Sequence, residues 1–396
     1  MIAFFLAPIY LLIIFYILRW LLRWMKACHH IFERKWVQVT VIFIVGFVAL
    51  TILIAFLLPA SPLQRVLKLI SNYWLGTLLY IILTVVIVDI FRIILKHCKW
   101  VNQETLASRK VFVAVGTFCV ILISTLSIYG IINANNIQTT DYEVSVDKDC
   151  GDLDSLNVVL IADLHLGYSI GNRQMTKMVN KINQMDADLV VIAGDIFDNE
   201  YEALEDPEKL VEILKGIETT YGVYACYGNH DIQEKILAGF TFDWKAHKES
   251  DERMDQLLAD ADINLLQDEG VLIDNSFYVY GRPDYERPGR GIEVRKTPAE
   301  ITSTMDSKKP ILIIDHEPHE LQELADAGVD LDLCGHTHDG QMFPGNLTID
   351  LMWENACGYL QKDGMHNIVT SGIGVFGPAM RVGTKSEICN IKVTFK

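Results

Sequence analysis

The sequence predicts an α/β domain carried behind a four-helix membrane unit. Three observations point there. Four long apolar runs are confined to the first 136 residues, the charge changes sign at about the same place, and from residue 155 short apolar strands alternate with amphipathic helices. The chain has 396 residues and a net charge of −16. Residues 1–136 hold 12 Lys/Arg and three acids (Glu33, Asp89, Glu104), a net +9, which leaves −25 for the rest. A hydrophobic content of 51% excludes a mostly disordered chain. The acidic half lacks the basic face that a non-specific nucleic-acid binder needs.

A helix needs about 20 apolar residues to cross a hydrocarbon layer of ~30 Å. Val37–Leu58 and Val111–Ile132 are uncharged throughout and long enough. Ile2–Leu18 is also uncharged but short, and without a basic flank before it the run does not resemble a cleaved signal peptide. Trp74–Leu95 carries Asp89 and Arg92, three residues apart, read as a mutually neutralising pair near a helix end. The expected helices are therefore about 2–18, 37–58, 74–95 and 111–132. Basic residues cluster in 19–36 and 95–110, whereas 59–73 has only Arg65 and Lys68, and 133–149 has Lys148 against Asp141, Glu143, Asp147 and Asp149. The positive-inside rule then puts the first and third loops in the cytoplasm and the C-terminal domain outside it.

Residues 137–154 read as a linker, and 155–396 as the folded domain. Leu156–Ala162, Leu189–Ala193, Val223–Tyr227, Ile311–Ile314 and Leu331–Cys334 are short apolar runs suited to buried strands. Met175, Met178, Val179, Ile182 and Met185 recur at helical spacing, and Asp206-Pro207 is a cap and first-turn proline for a second helix. Asn367–Ser371 and Ile388–Phe395 read as later strands, and Arg282–Gly291 as a loop. The domain's five cysteines are odd in number and unclustered, so Cys226 and Cys334, each ending an apolar run, read as buried small hydrophobes.

Each of the five runs is followed at once by Asp, His, Asn or Gly. In α/β sheets the carboxyl ends of strands form the ligand crevice. The side chains delivered there are Asp163, His165, Asp195, Asn229, His230, His316, His336 and His338, five of the chain's 11 histidines among them. Asp163-x-His165 and His336-x-His338 put two ligands on one side of an extended segment. Gly194, Gly228 and Gly335 each precede a candidate ligand. Mixed carboxylate, amide and imidazole donors suit Mn, Fe or Zn rather than a thiolate zinc site. Seven candidate ligands exceed what one ion takes, and a bridging carboxylate would let them serve two.

The set Asp163-x-His165, Gly194-Asp195-x-x-Asp198, Gly228-Asn229-His230-Asp231, His316 and Gly335-His336-x-His338 resembles the calcineurin-like metallophosphoesterase superfamily, all five blocks in order. The string His336-Thr337-His338-x-Gly340-Gln341 and Ser371–Gly374 are similar to its bacterial membrane-anchored members. The resemblance implies two packed β-sheets flanked by helices, with a dimetal site at one edge. It implies one ion on Asp163, His165, Asp195 and His338 and a second on Asp195, Asn229, His316 and His336. It implies His230 near the substrate phosphate, Asp231 orienting His230, and a structural role for Asp198. The implied reaction is phosphoester hydrolysis by a hydroxide held between the two metals. Asn199 in place of Arg, and Asp231 in place of Glu, depart from the phosphoprotein phosphatase pattern.

Placement beside a bilayer suggests a phosphorylated small molecule or lipid as substrate and the membrane as partner, with no nucleic acid. Arg282, Arg287, Arg290 and Arg381 read as surface charges, His319 as solvated or supporting, and His247 and His366 have no motif context. Rival readings are a phosphate-binding receptor or scaffold without turnover, and a transporter. The helices carry almost no intramembrane charge beyond Asp89 and Arg92, which disfavours the latter.

Overall fold

A computed structural model describes residues 2–396 apart from 235, 238–239, 242–248, 290–291 and 293, so His247 and Arg290 lie outside the described residues. The chain divides into two compact units. One comprises Met1–Ile131 with Ile236–Phe242 and Gly377–Met380, and the other Ile132–Lys235 with Asp243–Phe376 and Arg381–Lys396.

Among the described residues, four helices are long and apolar enough to cross a membrane: α1 (Ile2–Cys28), α2 (Lys35–Leu57), α3 (Pro62–His97) and, after the single turn α4 (Gln103–Leu106), α5 (Arg109–Ala134). Two of them outrun their apolar stretches. α1 continues past residue 18 through Arg19, Arg23 and Lys26, and α3 begins at Pro62 rather than 74. Ser61 caps α3 by accepting from the Gln64 amide at 3.2 Å, with Pro62 in the first turn. Leu12, Phe43, Leu57 and Phe91 point outward, while Ile14, Ile17, Ala49 and Leu78 pack inside. Trp74 Nε1 donates to the Tyr10 hydroxyl (2.9 Å), which donates to the Ala49 carbonyl (2.8 Å), so one polar chain ties α3, α1 and α2. Asp89 accepts from the Tyr16 hydroxyl of α1, so its hydrogen-bond partner lies on a neighbouring helix and not one turn along its own.

The second unit is built on two six-stranded mixed sheets. In chain order the strands are β1 (Ile137–Val146), β2 (Ser155–Ile161), β3 (Leu189–Ala193), β4 (Val223–Cys226), the separate short pair β5 (Ile236–Leu237) and β6 (Phe240–Thr241) that groups with the first unit, β7 (Ile263–Leu265), β8 (Glu269–Ile273), β9 (Phe277–Gly281), β10 (Ile311–Ile314), β11 (Leu331–Cys334), β12 (Gly358–Lys362), β13 (Met365–Val369) and β14 (Ser386–Phe395). The first sheet runs β1-β14-β2-β3-β4-β7 and the second β12-β13-β11-β10-β9-β8. β2, β3, β4 and β7 are parallel neighbours, as are β9, β10, β11 and β13. Leu160 and Val191 of one sheet share a core with Leu312, Leu333 and Ile368 of the other, and all five are fully buried. Helices α6 (Asn172–Ile182), α7 (Pro207–Leu214), α8 (Glu252–Asp260), α9 (Pro298–Thr302) and α10 (Leu321–Asp326) lie between the strands in sequence. Asp206 caps α7 by accepting from the Lys209 amide at 3.1 Å.

Most of the stretch read as a linker is strand. β1 pairs with β14 in parallel from Ile137↔Ser386 to Val146↔Phe395. As an edge strand it alternates, with Ile137, Val144 and Val146 buried and Asp141 and Glu143 outward, which masks it in an apolar-run search. All eight cysteines are free; Cys226 is fully buried in the apolar core, whereas the equally buried Cys334 donates from its Sγ to Asp332 and accepts from the Asn367 amide.

Candidate metal centre

Ligand positions follow the carboxyl ends of five parallel strands. Asp163 and His165 follow β2, Asp195 follows β3, Asn229 and His230 follow β4, His316 follows β10, and His336 and His338 follow β11. The backbone is bent sharply at these ends. Asp163, His165, Asp195, His336 and His338 all have positive φ, between 44° and 72°. Such conformations are uncommon for non-glycine residues and concentrate at functional sites. Gly194, itself at φ 74°, sits where a Cβ would come within 2.5 Å of the His316 ring. A Cβ at Gly228 would meet Asp195 Oδ1 at 2.4 Å, so both positions need glycine to let the loops close.

Two groups of ligand atoms result, Asp163–His165–His338 and Asp195–His316–His336, each within 4.8 Å of one another. In the first, His165 Nε2 faces His338 Nε2 at 3.0 Å, and His338 Nε2 lies 3.6 Å from Asp163 Oδ1. In the second, His336 Nδ1 lies 3.1 Å from His316 Nε2 and 3.2 Å from Asn229 Oδ1. Asn229 Oδ1 is also 3.1 Å from His316 Nε2. Asp195 Oδ2 faces both groups, 3.6 Å from His165 Nε2 and 3.2 Å from His316 Nε2.

These atoms fit divalent cations. Burial pushes the His165 imidazole down to about 3 and His336 to about 4, so both rings are neutral and present lone pairs. Burial pushes Asp163 up to about 7, the cost of a carboxylate taken out of water. Burial opposes ionisation of Asp195 too, yet the neighbouring His316 and His230 hold it well below the usual carboxylate range. Lone pairs that meet at about 3 Å repel one another unless a positive charge lies among them; against the pull of burial, Asp195 holds His316 well above the usual imidazole range, so a proton there supplies the charge that a cation would replace, and this set contains nitrogen and oxygen donors but no thiolate. Supporting bonds fix the rings. His316 Nδ1 donates to the Ala193 carbonyl (2.9 Å), which leaves Nε2 to face the cluster, and His336 Nε2 lies 3.3 Å from Glu317. The His336 amide donates to both oxygens of Asp163.

His230 sits at the rim. Its amide donates to Asp195 Oδ1 at 2.7 Å, its Nδ1 donates to Asn199 Oδ1 at 2.6 Å, and its ring packs on Phe376 with centroids 4.3 Å apart. The orienting partner of His230 is thus Asn199, and not Asp231 as the resemblance implies. Asp231 is buried beneath the turn, where its two oxygens accept from the amides of Phe197 (2.8 Å) and Gly228 (2.7 Å). Its oxygens are turned to those two amides, while the His230 Nδ1 partner is the Asn199 side chain. Asn199 is itself buried at φ 62° and donates to the Ile232 carbonyl.

Two of the arginines read as surface charges are fully buried. Arg381 donates to the carbonyls of Ser371, Gly372 and Gly374 and to the carbonyl and Nδ1 of His338, and so ties the loop after β13 to the ligand loop after β11. Arg282 pairs with Asp315 and Glu320, each at 2.5 Å, and Arg295 completes a balanced four-charge network behind His316. Arg287 pairs with Glu234 at 2.7 Å. His319 is half-exposed, 3.2 Å from Glu317 with its ring tilted against Trp353, whereas His366 bridges the Tyr359 hydroxyl of its own sheet and the Ser145 carbonyl of the other.

Residues 156–340, the span that delivers every one of these ligands, match the calcineurin-like phosphoesterase family model. Residues 156–340 form a calcineurin-like phosphoesterase domain. A "Transmembrane protein with metallophosphoesterase domain" of Danio rerio is 28% identical over 345 residues, covering 81% of this chain and 74% of that one. An uncharacterized metallophosphoesterase of Campylobacter jejuni is 29% identical over 273 residues, covering 68% and 67%. The uncharacterized metallophosphoesterase YkuE of Bacillus subtilis is 25% identical over 265 residues, covering 64% and 84%. In the first of these relatives the phosphoesterase domain also accompanies a transmembrane region by name, as the apolar helices do here.

Proposed function

We propose that the chain is a membrane-anchored phosphoester hydrolase with two divalent cations, Mn, Fe or Zn. Asp163, His165, Asp195 and His338 would hold one, and Asp195, Asn229, His316 and His336 the other. The observation that carries this reading is the single oxygen of Asp195 that faces both ligand groups. Such a pair of cations supplies positive charge for phosphate oxygens and lowers the pKa of water enough for attack near neutral pH. The substrate is a phosphodiester, a pyrophosphate or a phosphomonoester. Loop charges support an extracytoplasmic domain.

The protein's own groups supply position and a proton site. His230, with Nδ1 committed to Asn199, turns its Nε2 toward the crevice, where it can donate to a leaving oxygen or hold a phosphate oxygen. Its amide bond to Asp195 couples the position of that ring to the shared carboxylate. Glu317 and the Ala193 carbonyl keep the second group's rings from rotating.

The test uses the purified full chain, dialysed against a chelator and then supplied with Mn²⁺, Zn²⁺ or Fe²⁺, with bis(p-nitrophenyl) phosphate and p-nitrophenyl phosphate as substrates. Hydrolysis should vanish with the metal and return with it. Failure to cleave either substrate with any of the three ions would remove the enzyme reading. Asn199→Ala should lower kcat by about 10- to 100-fold, the usual cost of losing a supporting hydrogen bond at a metal site, while KM stays within about threefold. An unchanged kcat would show that the ring needs no such hold.

A further inference from the structure

The segment that follows the histidines of β11 leaves the metal centre and returns to it. It starts three residues after His338 at Gln341, whose side chain clamps the Phe376 backbone through both its amide atoms (3.0 and 2.9 Å). It ends at Trp353, whose ring packs 5.2 Å from His336 and 4.8 Å from His319. Between these anchors the chain makes two 3₁₀ turns, Gly345–Leu347 and Ile349–Leu351. Four large apolar side chains stand in solvent there: Phe343 (45% exposed), Leu347 (64%), Leu351 (85%) and Met352 (76%). Asp350 is the one charged residue from Gln341 to Trp353. Elsewhere most of the domain's described aliphatic side chains are buried in two cores, and Leu272 and Val294 stand exposed singly, so four exposed apolar residues in one stretch depart from its own pattern.

The covalent chain indicates what meets this surface. α5 ends at Ala134 and β1 begins at Ile137, so the first strand starts within about 11 Å of a membrane helix's end. A domain tethered that closely works at a lipid surface throughout its life. An uncharged aromatic and aliphatic cluster is the surface chemistry that partitions into the boundary between headgroups and acyl chains.

We propose that Phe343–Met352 is a bilayer-docking segment that seats the metal centre on the membrane and admits a phosphorylated lipid to it. The lipid half of this inference rests on the phosphoester hydrolase reading above. The segment does not donate ligands. It sets which substrates reach them, because its two ends are fixed to groups of the centre.

Two measurements on the full chain in phosphatidylcholine vesicles decide it. In the first, a few per cent of the lipid carries an acyl-chain diazirine, and the irradiated protein is digested and mapped by mass spectrometry. Adducts should appear on 343–352 as well as on the four apolar helices. Helix adducts without any on 343–352 would overturn the docking, and would leave the patch to a protein partner. In the second, the Leu347→Asp/Leu351→Asp/Met352→Asp variant should lose at least tenfold in turnover of vesicle-embedded phosphatidate, with bis(p-nitrophenyl) phosphate hydrolysis within twofold of the parent. Equal effects on both substrates, or on neither, would overturn the lipid-admission role. A parent chain that cleaves neither substrate would overturn that role together with the hydrolase reading, while the photolabelling still decides the docking.

Discussion

Replacement of Asp195 by alanine is expected to reduce phosphoester hydrolysis by a factor on the order of 10³ and to strip the centre of metal, since one carboxylate is asked to serve every part of the site at once. Its Oδ2 lies 3.6 Å from His165 Nε2 and 3.2 Å from His316 Nε2, and its Oδ1 takes the His230 amide at 2.7 Å. Truncation therefore removes a donor from each ligand group and frees the backbone that carries the rim histidine. Loss of any other single ligand touches only one group. Asp195→Asn should be nearly as damaging, because the amide keeps the shape but lacks the charge that offsets two cations. Metal content by mass spectrometry and turnover should fall together while circular dichroism stays unchanged. Full metal occupancy in a folded Asp195→Ala protein would refute the shared-carboxylate arrangement.

The largest effect on stability should come from Arg381→Met. Two contributions oppose each other. Burial lowers the guanidinium to about 10 from an ordinary 12.5, a penalty of about 3 kcal/mol that methionine would relieve. Against it stand the carbonyls of Ser371, Gly372, Gly374 and His338, each left without its donor at about 1–3 kcal/mol. Four such losses outweigh one relief, and a net cost of roughly 4 kcal/mol corresponds to a melting temperature lower by roughly 10 °C for a domain of this size. Thermal unfolding in detergent checks it. A variant as stable as the parent would mean that the loop carbonyls find water once the guanidinium is gone.

The sequence carries the parts of this architecture that rest on apolar periodicity. Leu189–Ala193 and Ile311–Ile314 are buried on both faces, so they stand out as uninterrupted runs and coincide with β3 and β10. The ligand atoms that meet in space come from residues that already stood at the ends of such runs. What escaped depends on partners far away in the chain. β1 takes its register from β14, about 250 positions later, and its exposed face is polar. The N-terminal part of α3 holds Arg65 and Lys68, which end an apolar run without ending a helix. Arg282 and Arg381 carry the charge of surface residues, and only tertiary neighbours (two acids for one, a ring of carbonyls for the other) reveal them as interior. Asn199 and Asp231 could not be told apart by motif, since each is a short polar side chain beside the same turn. The direction of one carboxylate decides which of them holds His230.

The pairing of β1 with β14 also governs how the domain is made. Ile137 cannot find Ser386 until some 250 further residues have been translated, and β2 waits for the same strand. At about 5–20 residues per second that is roughly 12–50 s during which two strand edges face the surroundings. Both edges emerge directly behind a helix that is already entering the lipid. A premature stop anywhere before residue 386 therefore leaves β1 and β2 without the strand that lies between them, a product with an open, aggregation-prone sheet rather than a smaller folded domain.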